Sequence, residues 1–172
     1  MAILLSGDFD PDQMIATIDK YFGDMQPNEN IPQLAFEPEA PITKPIVKEV
    51  YGPDAANVTL AWRTDNAASD DAEYLLLASR ILYNGQAGMI DLDLMQQQKV
   101  LDAFSYPDQR ADYGALVLQG LPKAGQTLDE VRDLLLAEVA KLRNGEFSEE
   151  LIKAVVNNLK VSTMREEETN VG

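Results

Sequence analysis

The chain has 172 residues, the size of one ordinary domain at ~100–200 residues each. Acids outnumber bases 29 to 14, a formal net charge of −15, which argues against nucleic acid or an anionic membrane as partner because both recruit a positive field. Histidine and cysteine are both absent, which excludes Ser-His-Asp triads, Cys-His dyads, disulfides, thiolate chemistry and every zinc site built on imidazole.

Residues Ala2–Ser6 (AILLS) form a continuous apolar run that suits a buried strand. The preceding Met1 and this run carry no basic region, so they make a poor signal peptide. No stretch approaches the ~20 apolar residues of a membrane span; Leu75–Ser79 and Ala115–Leu118 are the longest. Asp10 and Pro11 then predict an N-cap and first turn. Met14, Ile15, Ile18 and Phe22 recur at helical spacing up to Gly23. Residues Gln26–Pro45 carry prolines at 27, 32, 38, 41 and 45 and read as an extended, semi-rigid linker.

Strands follow, over Ile46–Tyr51 and Asn57–Thr64. In the second, Val58, Leu60 and Trp62 alternate with Thr59, Ala61 and Arg63 to give one buried face. Asp70 with Glu73 has capping-box spacing and opens a helix to about Tyr83, closed by Asn84-Gly85. A shorter helix is expected around Met89–Gln98. Two more strands are expected at Val100–Tyr106 and Tyr113–Gln119, joined through Pro107–Asp112. Thr127 with Glu130 caps a helix to about Arg143, stopped by Asn144-Gly145, and Ser148 caps a last helix through about Arg165. Grouped strands with runs of helices imply an α+β two-layer sandwich: a mostly antiparallel sheet with helices packed on one face.

With no His or Cys, chemistry would have to come from carboxylates, Lys, Ser, Thr or Tyr. Asp8, Asp10 and Asp12 have the opening spacing of a calcium loop, but Gln13 and Asp19 stand where Gly and Glu are required, so they read as a turn and an acidic helix start. Gly120 to Thr127 has the G-x4-G-x-T spacing of a phosphate loop between a strand and a helix. Gln126 replaces its lysine and Pro122 removes a backbone N–H, which favours a plain connecting loop. Asn84-Gly85-Gln86-Ala87-Gly88 offers close backbone approach to a ligand, or simply a break between helices. The pairs Asp70/Asp71, Asp91/Asp93 and Glu149/Glu150 are uninformative among 29 acids. Ser6, Ser69, Ser79, Ser105, Ser148 and Ser162 nominate no nucleophile.

The ordered motifs go further. Ala2–Gly23 resembles the strand-helix that closes a domain in the pitrilysin/insulinase family of zinc metallopeptidases. Gly52–Thr64 resembles the hairpin opening that family's next domain, and Ala78–Gly88 its helix and glycine break. Ala115–Gly145 is similar to its strand, loop and long helix, and Phe147–Lys160 to the helix after that. The resemblance implies a C-terminally truncated fragment: residues 1–25 the end of a preceding domain, 26–45 the linker, and 46–172 a non-catalytic domain. It implies zinc in the parent's catalytic domain on His-x-x-Glu-His and none in this chain. It gives no catalytic or metal residue here and leaves the substrate-binding residues unknown. Active members present an Arg and, seven residues on, a Tyr to bound peptide; alignment on Leu94–Asp102 puts Met95 and Asp102 there, with Tyr106 nearby, so no site residue is carried over.

The expected role is a non-catalytic wall that packs on the zinc-bearing domain, of the same polypeptide or a paired subunit, and helps bind peptide. A binding or assembly module of a member without catalysis is the first alternative, and a nucleotide-binding domain using Gly120–Thr127 the second. Surface meant for absent domains would favour a homodimer, and the compartment stays open between periplasm and cytoplasm. The retained strand Ala2–Ser6 is expected to pair with the sheet of the second domain, filling the place of that domain's own missing closing strand.

Overall fold

A computed structural model of the chain describes residues 2–28, 30–32 and 36–168. Met1, Glu29, residues 33–35 and residues 169–172, which fall in the expected strand-helix segment, linker and domain end, lie outside the described residues. The chain divides into two compact units between Glu49 and Val50.

Residues 1–49 hold one helix, α1 (Pro11–Phe22). Asp10 caps it as expected, its carboxylate accepting from the Asp12 and Gln13 N–H groups at 2.9 and 3.0 Å, with Pro11 at the first helical position. None of its residues is buried; Met14 and Ile18 are half-buried, and Ile15 and Phe22 are exposed. The strand expected at Ala2–Ser6 is not formed among the described residues, so the expected pairing with the sheet is not found. The Ile46–Tyr51 strand, which straddles the division, is also absent; Val47, Val50 and Tyr51 are exposed. Apolar runs have strand propensity, but a strand exists only where a neighbour completes its ladder.

Residues 50–168 build the layered domain in the order β1 (Val58–Thr64), α2 (Asp71–Leu82), a π-helical turn (Asp91–Met95), β2 (Asp102–Gln109), β3 (Gly114–Leu121), α3 (Leu128–Asn144) and α4 (Glu149–Glu167). The sheet runs β1-β3-β2, antiparallel throughout. Leu118 sits opposite both Leu60 and Ser105, and Gly120 opposite Val58 and Ala103. Directly opposite residues share a face, so these rows form the side on which the helices pack.

The fit there is close. A Cβ on Gly120 would stand 2.5 Å from Val131 Cγ1 and 3.1 Å from Leu135 Cδ1, which lets α3 lie against β3. Ser79 of α2 and Ser105 of β2 share a buried hydroxyl hydrogen bond at 3.2 Å. Leu82, Ile90, Leu94, Leu118, Val131, Leu135 and Val155 fill the space between, each at most 2 % exposed. Truncating such a leucine to alanine costs roughly 2–5 kcal/mol. No described helix is long and apolar enough to cross a membrane.

The capping box of Thr127 and Glu130 is complete, and Ser148 caps α4 through the Leu151 N–H. Three boundaries differ from expectation. Asp70 is already helical in φ and ψ and makes no side-chain cap, because the turn before it runs straight into α2. The helix expected at Met89–Gln98 is a π-helical turn that unwinds through Gln98, at φ 50°. β2 starts two residues late and runs through Pro107 to Gln109. It is an edge strand, so a proline without N–H need cost no ladder bond.

Candidate functional site

Each motif that offered chemistry is occupied by structural work. Asp10 of the Asp8/Asp10/Asp12 set is spent on the α1 cap. Among the described residues no group of three or more His, Cys, Asp or Glu could hold a metal ion.

The phosphate-loop spacing fails in a specific way. Gly120 lies inside β3, not in the loop. Lys123 Nζ donates to the Gln98 carbonyl at 2.7 Å, and Gln126 Nε2 to the Lys99 carbonyl at 2.9 Å. The Lys123 N–H donates to Gln126 Oε1, and Thr127 is locked in its cap. The polar groups of the loop thus grip the chain's own 98–99 turn and leave no cradle for a phosphate.

The Asn84–Gly88 segment is likewise satisfied from within. Asp91 Oδ2 accepts three backbone N–H groups, from Asn84, Gly85 and Gly88, at 3.0, 3.1 and 2.9 Å. Asn84 Oδ1 accepts from Gln86 and Ala87. A Cβ on Gly88 would stand 2.7 Å from the Leu82 carbonyl oxygen and 2.8 Å from Asp91 Oδ2. The glycines serve this closed turn between α2 and the π-helical turn.

The carboxylate pairs also separate. Asp91 holds the turn, whereas Asp93 receives Lys141 Nζ at 2.6 Å. Asp70 and Asp71 flank the start of α2, and Glu149 and Glu150 form the exposed first turn of α4.

Sequence reasoning missed Glu138. It is 2 % exposed; Oε1 accepts from Lys141 Nζ at 2.8 Å, and Oε2 is buried without a partner among the described residues. Burial raises its carboxyl above the ordinary carboxylate range, against the lowering effect of the Lys141 ammonium. The hydrogen bond to Asp93, then that to Glu138, raises Lys141 in turn. The signal was present: Glu138 continues the helical stripe of Val131, Leu135 and Leu142.

What stays available is the side of the sheet opposite the helices. By register it carries Thr59, Ala61 and Arg63 of β1, Ala115, Val117 and Gln119 of β3, and Phe104, Tyr106 and Asp108 of β2. Phe104 and Tyr106 stack with centroids 6.2 Å apart, and Tyr83 tilts onto Phe104 at 6.4 Å. Tyr106 is 44 % exposed. Arg63 lies over the Tyr113 ring at 5.2 Å. Met95 ends the π-helical turn and Asp102 begins β2, both half-buried.

A family model described as the Peptidase M16 inactive domain matches residues 1–159. The chain belongs to that family. That family's model describes an inactive domain of M16 peptidases. In fold it is similar to a crystal structure of a protease from Helicobacter pylori, with a TM-score of 0.72 at 18 % identity. That match covers 95 % of this chain and 40 % of the other, so the chain spans well under half of that protease. No curated protein matches it. The residues of this M16 inactive domain do not fit zinc, since the chain has neither imidazole nor thiolate.

Proposed function

We propose that this domain helps to enclose and bind peptide for the zinc-bearing domain of an insulinase-like metallopeptidase, in the same polypeptide or a paired subunit. Zinc there would polarise the scissile carbonyl and activate water; this chain's part is to bind and orient. One observation carries the reading: the sheet of an M16 inactive domain leaves one face free of its own helices and sets Phe104 and Tyr106 on it, on the edge strand β2. Aromatic rings on a pleated surface suit an extended peptide, which also hydrogen-bonds along strand edges.

The domain limits belong to the same proposal. Residues 1–25 close the preceding domain, 26–45 form the passage, and 46–172 form the inactive domain. The division at Glu49 and the exposed Ile15 and Phe22 of α1 support it.

Binding of a fluorescein-labelled unfolded polypeptide, followed by anisotropy, tests the reading. Tyr106→Ala should weaken it about tenfold, as expected for loss of one aromatic anchor. Tyr74→Ala, at an exposed site on α2, should leave it unchanged. Equal affinity of Tyr106→Ala and the parent chain would end the proposal for this face.

A second reading, a binding or assembly module of a member without catalysis, draws support from Met95 and Asp102. The parent reading frame separates the two. A His-x-x-Glu-His about one domain upstream favours the first, and its absence from the whole frame favours the second.

A further inference from the structure

The sheet order β1-β3-β2 leaves an outer edge on β1 and another on β2, and the sequence treats the two differently. An edge strand offers a row of backbone N–H and C=O groups to any other strand, and chains blunt that row with proline or charge. β2 is blunted by Asp102, Pro107 and Asp108. β1 (VTLAWRT) has no proline, no glycine and no carboxylate, although acids make up 29 of the 172 residues. Its only charged residue is Arg63. Its side chains are also incompletely covered. Val58 and Leu60 pack against the core, whereas Trp62, on the same side of the sheet, is 36 % exposed. Thr59 and Ala61, on the other side, are exposed.

A second copy of β1 suits this edge. Two identical strands pair antiparallel about a twofold axis normal to the sheet, and the register centred on Ala61 is the one that pairs all seven residues. It sets Leu60 opposite the partner's Trp62, Val58 opposite the partner's Thr64, and Thr59 opposite the partner's Arg63. Opposite residues share a face, so Leu60 covers the indole on the helix side. No like charges meet. A chain with a net charge of −15 repels its own copies over most of its surface. β1, with one positive charge and no acid, is the strand at which they can approach. The same pairing at β2 would bring the Asp102 and Asp108 carboxylates of both copies to one ladder.

We propose that β1 is the edge through which two copies of this chain join. Two three-stranded sheets become one, in the order β2-β3-β1-β1-β3-β2, with both helix layers on the same side. The joint uses the backbone edge of β1 and goes beyond the peptide-binding reading, on which it does not rest.

Trp62 is the chain's single tryptophan, so the joint carries its own reporter. On diluting the full chain from submillimolar to micromolar, sedimentation velocity should show dimer giving way to monomer. Tryptophan emission should move to the red over the same range. The register gives a sign to test at exposed Thr59. Thr59→Glu sets a carboxylate opposite the partner's Arg63 and should tighten the dimer about fivefold, whereas Thr59→Lys sets a cation there and should weaken it by a similar factor. Net charge alone demands the reverse order, because Glu adds to the negative charge and Lys reduces it. Ala61→Lys places two cations at the axis and should leave a monomer. Leu4→Lys, in the exposed apolar run before α1, should change nothing. Four results would overturn the proposal: a monomer at every concentration, a tighter dimer with lysine than with glutamate at position 59, a dimer that survives Ala61→Lys, or a dimer lost with Leu4→Lys, which would give the edge to Ala2–Ser6 instead.

Discussion

Glu138 occupies a position on α3 whose neighbours along the stripe, Val131 and Leu135, are fully buried. Its carboxyl is raised in the folded chain, first by burial. A carboxyl raised on folding binds more protons folded than unfolded between its two pKa values. Its contribution to stability is therefore greatest on the acid side and is lost as pH rises through the folded value. The effect is isolated by difference. Thermal unfolding of Glu138→Gln and the parent chain should converge near pH 4.5, and the variant should gain steadily on the parent toward pH 7. A gap that is flat or shrinks with pH would show that Lys141 fully compensates the buried charge. Charge counting could not single out Glu138, because one acid in 29 looks like any other until its place in the helical stripe is considered.

At the scale of elements, the closest contact is β3 against α3 at Gly120. Gly120→Ala should destabilise the chain by about 1–3 kcal/mol, the cost of overpacking. In a Val131→Ala background, where the contacting methyl is gone, the same change should cost clearly less, as chemical denaturation of the four variants would show. Additive costs would mean that α3 has shifted off the sheet. Elements with local punctuation were legible in the sequence. Thr127 with Glu130, Ser148 and Asp10 each mark a helix start correctly, because a cap is a contact between residues three apart or fewer. Elements that depend on distant partners were not legible. Ala2–Ser6 and Ile46–Tyr51 have strand composition and no ladder. Pro107 argued against a strand that its edge position permits. The π-helical turn follows from the demand of three N–H groups on Asp91, which no local periodicity announces.

At the scale of the whole molecule, the buried core residues among the described residues all fall between Ala72 and Val155. The chain from Val50 onward should therefore keep a single cooperative unfolding transition after removal of residues 1–49, measurable by circular dichroism on heating. Loss of cooperativity would show that the first unit is required for the core. Family membership was readable from motif order because it uses the succession of elements along the chain. The candidate sheet face was not, since it depends on the register of strands far apart in sequence.

The hydroxyl pair of Ser79 and Ser105 also limits how this sequence can change. Either serine replaced alone by alanine leaves its partner buried without a hydrogen bond, at about 1–3 kcal/mol, whereas replacing both is close to neutral. Two permissible sequences are thus separated by a less stable intermediate on either single-step route. In the histories of related chains the two positions should change together or not at all, and a library varying both should return Ser-Ser and Ala-Ala far more often than either mixture.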